Sequence, residues 1–200
     1  ELSPCLRPLQ SAVQRIGGEL FDCGGQGRCG ADCVGFGLVG LDRLDLTMLP
    51  ESLQFNKADY MAKAPSGDHW MHHAVGELLR DAVILHSLDP SVLSALSYDE
   101  DNGSDLITMS QLMVESMSSW VTPAHLVTAN TTECTPYAWS ALMSNKYCYT
   151  DTAFFVLAAD RFQVRIIIHL VGGQDSASAG LPVGEPWVIR PRIGVEASAE

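Results

Sequence analysis

The stretch from His69 to Leu88 is the feature that most limits how this chain can fold. Apolar side chains recur along it at helical spacing, at Val75, Leu78, Leu79, Ala82, Val83 and Leu85. The charged side chains Glu77, Arg80 and Asp81 are assigned to the opposite face. This period is typical of an α-helix with one face in a core. The stretch therefore predicts a long amphipathic helix on which other elements must pack.

Helices are predicted elsewhere from spacing or composition. They cover residues 8–16, 31–41, about 106–120, and a stretch that Asp151 can cap and that runs to Phe162. The methionines of the 106–120 helix are expected to fill the core rather than to bind a ligand. Residues 42–68 contain Pro50, Pro65 and Gly67 and are predicted to be irregular.

Strands are predicted near both ends of the chain. Residues 19–23 form a short candidate strand, a β-branched run over 164–171 directly follows the last helix, and another strand begins at Pro186. Helices followed by late strands predict an α+β fold. The 200 residues fit a single domain over 1–200, with flexible ends at 1–7 and 194–200.

Composition limits the classes of partner. Lys and Arg number 12 against 24 Asp and Glu, a net charge of −12. Nucleic-acid binding needs clustered cations, so no nucleic-acid partner is expected. No apolar run approaches the ~20 residues that span a bilayer, so no membrane insertion is expected.

The N-terminus lacks the features of a signal peptide, which favours an intracellular, cytoplasmic protein. A precursor segment upstream stays open, because no initiator Met is present.

Three of the six cysteines, Cys23, Cys29 and Cys33, fall within eleven positions. Such density indicates either a metal site or a reactive thiol. The spacing lacks the paired C-x2-C of zinc sites, and no histidine is close in sequence. Three histidines at helical spacing are expected to form a solvated helix start: His69, His72 and His73. We therefore expect no metal and no cofactor.

The glycine-rich turn Gln26-Gly27-Arg28-Cys29-Gly30 carries the clearest chemistry. It lies between a predicted strand and a predicted helix, so Cys29 is expected near a helix N-terminus. Free backbone amides and the helix dipole favour the thiolate there. The same amides, with the Gln26 side chain, can stabilise an oxyanion. This arrangement suits a cysteine peptidase with Cys29 as nucleophile, although packing of a buried cysteine is the plainer interpretation of the turn alone.

A series of motifs follows this turn in order. Gln26-Gly27-Arg28-Cys29 precedes Leu79-Arg80, then Trp139, then Tyr149-Thr150-Asp151, then Ile166-Ile167-Ile168. In their order and spacing, over residues 9–193, these motifs resemble the ovarian tumour (OTU) family of papain-like deubiquitinating cysteine peptidases. The resemblance implies a papain-like OTU fold, with a small, mostly antiparallel sheet flanked by helices. It also implies the catalytic residues Cys29, Gln26 and Gly27.

The chain departs from the family at two positions. Gln26 replaces the usual Asp, and Val195 stands where the family's terminal general-base His is expected, with Glu196 following. Three explanations stay open. The base lies beyond the residues given, His169 approaches Cys29 in space, or the domain is a pseudoenzyme.

Two functions follow from the resemblance. The first is hydrolysis of peptide or isopeptide bonds to ubiquitin or a ubiquitin-like modifier through Cys29. The alternative is a catalytically inactive OTU-like module that acts as a binding or structural subunit of a larger assembly. The acidic charge suits a basic partner surface under either interpretation.

Overall fold

A computed structural model describes residues 28–63, 70–96, 107–168 and 186–192, together with Gln14. The helices are α1 (Cys29–Gly40), α2 (Lys57–Lys63), α3 (Trp70–Ser87), α4 (Pro90–Ser94), α5 (Met109–Ser118), α6 (Pro123–Thr128), α7 (Pro136–Met143) and α8 (Thr152–Phe162). The strands are β1 (Ile166–Ile168) and β2 (Trp187–Ile189), and two 3₁₀ turns cover Leu46–Met48 and Glu51–Leu53. The described structure is mostly helical with a small antiparallel sheet, which is compatible with α+β.

Helix α3 is the centre of the packing and confirms the predicted long helix. It packs against α1, α7 and α8, and Val75, Leu79 and Val83 are fully buried on its core face. The predicted division of its faces is wrong at two positions. Arg80 is buried, whereas Leu85 is 71% exposed. The neighbouring helices cover more than one face of α3. Leu85 lies on the part of the helix surface that they leave exposed.

Helix α1 begins two residues before the predicted start, at Cys29. It packs closely on α3 because Gly76 has no side chain: a β-carbon there would collide with the carboxylate of Asp32. Ala31, Leu38 and Val39 are buried in the same core. Close helix contact therefore compensates for the weak helix propensity of the glycines in α1.

The methionine-rich helix lies over Met109–Ser118, within the predicted range. Met109, Met113 and Met117 are fully buried, as predicted for core residues. Thr108 caps the helix, and its hydroxyl accepts the Gln111 amide at 3.1 Å. The helix packs against α4, α7 and α8.

The prediction that residues 42–68 are irregular is wrong in part. Two 3₁₀ turns and α2 lie in the described portion of this range, and the Tyr60 ring of α2 is fully buried. The Asn56 side chain accepts the Asp59 amide at 2.7 Å, which supports the first turn of α2. Burial of Tyr60 thus favours a helix in a segment that has few local helix signals.

Three further short helices were not predicted from the sequence. Each begins with proline directly after a side chain that caps the helix: Asp89 before α4, Thr122 before α6 and Thr135 before α7. Proline is favoured at the first helical position because an N–H group there would have no acceptor within the helix, so the N–H that proline lacks is not missed. The sequence therefore marks the starts of these helices by its Asp-Pro and Thr-Pro pairs.

The helix-to-strand junction follows the prediction. Gln163 ends α8 with φ 52°, in the left-handed region, and β1 begins three residues later. β1 pairs antiparallel with β2, with Ile166 opposite Ile189 and Ile168 opposite Trp187. The predicted segments 8–16, 19–23 and 169–171, except for Gln14, lie outside the described residues.

Asp160 of α8 connects three parts of the fold. Its carboxylate accepts hydrogen bonds from His86 of α3 at 2.8 Å and from the Arg192 Nε, beyond β2, at 2.7 Å. Burial alone would raise the pKa of Asp160, but the hydrogen bonds from His86 and Arg192 outweigh it and lower the pKa to about 2. None of the helices in the described part of the chain is long and apolar enough to cross a membrane.

The shift at Asp160 predicts a loss of stability in acid. Its folded-state pKa lies below the unfolded value, so the contribution is complete above about pH 4 and is lost as the pH falls towards 2. The expected size is on the order of 2 kcal/mol. Urea denaturation from pH 6 to pH 2 should show this loss in the natural chain and a smaller loss in Asp160→Asn. Equal pH dependence in both would contradict the assignment.

Candidate active site

Cys29 is the first residue of α1, which agrees with its predicted place at a helix N-terminus. The residue is partly exposed, and its thiol is free. Arg28 precedes it with helical backbone angles, φ −94° and ψ −21°. Gln26 and Gly27 lie outside the described residues, so the predicted oxyanion hole stays a prediction.

The electrostatics of Cys29 differ from the expectation for a helix N-terminus. Burial raises the pKa of the Cys29 thiol, and the nearby Cys33 and Asp32 raise it further. Hydrogen bonds from the Gly30 and Cys29 amides lower it, as predicted, but they do not compensate. The thiol is therefore held in its protonated form at neutral pH and needs a base before it can attack a carbonyl.

Gly30 brings the start of α1 against the segment before α8. A β-carbon at Gly30 would collide with the Thr150 hydroxyl and would lie 3.2 Å from the Phe155 ring. The side chains of Thr150 and Phe155 occupy the space that a side chain at position 30 would need. Gly30, which follows Cys29, therefore lies against Thr150 of the Tyr149-Thr150-Asp151 motif.

Arg80 connects α3 to the same segment. Its Nη1 donates to the Met143 carbonyl at 3.1 Å, and its Nη2 donates to the Cys148 carbonyl at 2.6 Å. Burial lowers the pKa of Arg80, although nearby negative groups, including Asp32, oppose this effect. A buried guanidinium is stable only when its donors have such partners. Arg80 is therefore a structural crosslink and not the solvent-facing charge that the periodicity predicted.

Asp151 joins two tryptophans and a helix start. Its Oδ2 accepts the Trp139 indole N–H at 2.9 Å and the Trp120 indole N–H at 3.3 Å. Its Oδ1 accepts the Phe154 amide at 3.0 Å and so caps α8. Trp139 is fully buried. The Trp139 motif and the Tyr149-Thr150-Asp151 motif, whose first residue follows ten positions later, are therefore joined by a hydrogen bond.

His73 of α3 approaches two residues at the start of α1, which the sequence analysis did not predict. Its Nε2 lies 3.0 Å from the Arg28 Nη2, and its Nδ1 lies 3.6 Å from the Asp32 carboxylate. The expectation of a solvated helix start is wrong here, since the His73 side chain is 24% exposed. It is also wrong for His72, which is buried and lies 3.1 Å from the Tyr60 hydroxyl. The spacing of His72 to Val75 and Leu79 could have indicated burial.

The other histidine considered as a base, His169, lies outside the described residues, as do His69, Val195 and Glu196. Among the histidines that the structure describes, none is hydrogen-bonded to the Cys29 sulfur. The described residues also contain no group of three or more His, Cys, Asp or Glu that could hold a metal ion.

An aromatic-walled cleft borders the Thr150 side of this site. It encloses about 740 Å³ and is mostly apolar. Six large side chains line it: Trp120, Tyr147, Tyr149, Phe155, Ile168 and Trp187. Because Thr150 and Phe155 contact Gly30 and also line the cleft, the cleft lies one residue from the nucleophile candidate.

Comparison of the chain with protein-family models, with curated proteins and with solved structures finds no match.

The Asp151 contacts predict a large effect of one substitution. Asp151→Ala removes a helix cap and leaves two indole N–H groups without their acceptor, so we expect a loss of about 2–4 kcal/mol in the free energy of unfolding. Asp89→Ala is the matched control, because Asp89 caps α4 through the Ser91 amide at an exposed position. That control should lose clearly less, because its cap is exposed to solvent and no indole depends on it. Equal losses in urea denaturation would refute the role of the indole contacts.

Proposed function

We propose that this chain is an OTU-like cysteine peptidase domain that cleaves peptide or isopeptide bonds after ubiquitin or a ubiquitin-like modifier. One observation carries the proposal: motifs that are far apart in sequence meet around Cys29. Gly30 contacts Thr150, Arg80 bonds the Cys148 carbonyl, and the segment that follows is fixed by Asp151. These contacts support the proposal because they bring residues of the motif series to the helix start that carries a partly exposed thiol.

The proposed chemistry begins at the Cys29 sulfur. Once the thiol has lost its proton, the thiolate attacks the carbonyl carbon of the scissile bond, and a tetrahedral oxyanion forms. The proposal assigns stabilisation of this oxyanion to Gln26 and to the amides of Gly27 to Cys29. When the intermediate collapses, the C–N bond breaks, the leaving nitrogen takes up the proton that the thiol had lost, and a thioester remains on Cys29, which water then hydrolyses.

The surroundings of Cys29 support an extended substrate. The sulfur is partly exposed, and the aromatic-walled cleft next to Gly30 offers apolar surface for a chain that approaches the thiol. The net charge of −12 suits a modifier with a basic face.

A second function is favoured by the electrostatics of the thiol. The pKa of Cys29 is raised by burial and by its neighbours, and no described histidine is hydrogen-bonded to the sulfur. A peptidase without its general base typically loses ~10²–10⁴-fold in rate. These observations support the alternative of an inactive OTU-like module that binds a modifier or a protein assembly.

A ubiquitin probe with a C-terminal propargylamide separates the two functions. Under the first, the probe labels the chain, Cys29→Ala abolishes labelling, and Cys33→Ala, an exposed thiol one turn away, keeps it. Mass spectrometry identifies the modified cysteine. Absence of labelling in a folded wild-type chain would contradict the peptidase proposal. Binding of unmodified ubiquitin under those conditions, measured by calorimetry, would support the module.

A further inference from the structure

We propose that His125 makes one wall of the aromatic-walled cleft sensitive to pH, because its neutral ring closes the capping box of α6 and its protonated ring cannot. The proposal does not rest on the proposed function, since neither Cys29 nor a substrate enters it. It concerns the side of the cleft that Trp120 and His125 form at the start of α6.

The imidazole of His125 closes the capping box of α6. The backbone N–H of Thr122 lies 3.1 Å from the His125 Nδ1, and the Thr122 hydroxyl lies 3.2 Å from the same nitrogen. In return, the Thr122 hydroxyl accepts the His125 amide at 3.4 Å. A backbone N–H can only donate, so Nδ1 must accept, and the neutral ring carries its proton on Nε2.

A second capping box in the same chain has the same contacts with a side chain that does not titrate. At the start of α5, the side-chain oxygen of Gln111 accepts the Thr108 amide at 2.8 Å and the Thr108 hydroxyl at 3.1 Å. Gln and Glu are the usual residues at this position of a capping box. An amide oxygen accepts at every pH near neutrality, whereas an imidazole loses its acceptor when it is protonated. The start of α6 is therefore expected to respond to pH, and that of α5 is not.

Protonation of His125 opens the capping box of α6. An imidazolium carries an N–H at both ring nitrogens, so Nδ1 can no longer accept the Thr122 N–H, and two donors then face each other. The closed box is therefore complete above the pH at which His125 takes up its proton, and it is lost as the pH falls. Histidine side chains ordinarily titrate between about pH 5 and 8, and His125 is exposed to solvent.

The same imidazole packs against the wall of the cleft. The centres of the His125 and Trp120 rings lie 5.8 Å apart, with 62° between the ring planes. The Trp120 indole N–H donates to the Asp151 Oδ2 at 3.3 Å, and all three residues line the cleft. Opening of the capping box therefore releases the ring against which Trp120 packs, and it gives this wall a positive charge.

The charged and titratable groups around His125 set the pH of this change but not its direction. They line the cleft, lie on α7, which packs against α6, or lie in the connection between these helices: Glu133, Cys134, Tyr137, Tyr147, Cys148, Tyr149 and Asp151. Within the described part of the chain, His125 forms no ion pair with a carboxylate. The charge of Asp151 and the face of the Trp120 ring favour the imidazolium, whereas the amides in the first turn of α6 oppose it. None of these effects allows an imidazolium to accept a hydrogen bond.

Nitrogen-15 NMR of the natural chain tests the tautomer directly. At about pH 8 we expect the ring of His125 to carry its proton on Nε2, with Nδ1 as the acceptor. The Thr122 amide resonance should then move with the same midpoint as the His125 ring, while the Thr108 amide of the other capping box does not follow it. A proton on Nδ1 of the neutral ring, or a Thr122 amide that does not follow the His125 titration, would overturn the proposal.

Two substitutions of His125 supply the matched controls. His125→Gln keeps an acceptor at every pH, as Gln111 does in α5, and His125→Ala has none. Hydrogen exchange is read at Leu126 and Ala129, whose amides donate to carbonyls within the first turns of α6. The three proteins are compared at the same pH, so the pH dependence of chemical exchange cancels.

We expect the natural chain to match His125→Gln at about pH 8 and His125→Ala at about pH 5, where it should exchange about threefold faster than His125→Gln. Circular-dichroism melts show that each variant is folded. A natural chain that matches the same variant at both pH values would overturn the proposal.

The indole N–H resonances separate a titration of His125 from one of Asp151. Trp120 and Trp139 both donate to the Asp151 Oδ2, but of the two it is the Trp120 ring that packs against His125 in the described structure. We expect the Trp120 resonance to shift between about pH 8 and 5 more than that of Trp139, and His125→Gln should remove this difference. Equal shifts of both indoles in the natural chain would place the titration at Asp151 and overturn the role of His125 in the cleft wall.

Discussion

The contact between Asp151 and Trp139 is the interaction on which the rest of the described structure depends. A carboxylate in this partly buried position needs donors, and it receives two indole N–H groups and the Phe154 amide in the first turn of α8. Because these donors lie on different elements, one side chain fixes the segment before α8 relative to α5 and α7. Thr150 is then held where Gly30 contacts it. The start of α1, and with it Cys29, is positioned from that segment.

Buried charges connect parts of this fold that are far apart in sequence. Arg80 bonds two backbone carbonyls, and Asp160 joins α3, α8 and the residue Arg192 beyond β2. Buried ions are costly unless they are paired, so each imposes a geometry on the groups that satisfy it. The Asp32 carboxylate, 3.6 Å from the His73 Nδ1, is another buried charge that connects α1 to α3.

Long elements were predictable because their periodicity is strong. The predicted limits of α3, α5 and α8 were close to the observed ones. The burial of Met109, Met113 and Met117 followed from their spacing. Short helices were missed because five to eight residues do not establish a period, although Asp-Pro and Thr-Pro pairs marked their starts. The faces of α3 were only partly correct, since periodicity finds one apolar stripe and cannot show which polar residues other elements cover.

The sequence by itself determined that Cys29 lies near a helix N-terminus, that a long amphipathic helix organises the core, and that a helix passes directly into a strand. Local propensity, capping and spacing are enough for these features. Only the tertiary structure decided that Arg80 is buried, that burial raises the pKa of Cys29, and that His73 lies between Arg28 and Asp32. The reason is that desolvation and charge pairing depend on residues 40 to 70 positions apart, and no local pattern in the chain encodes which of them meet.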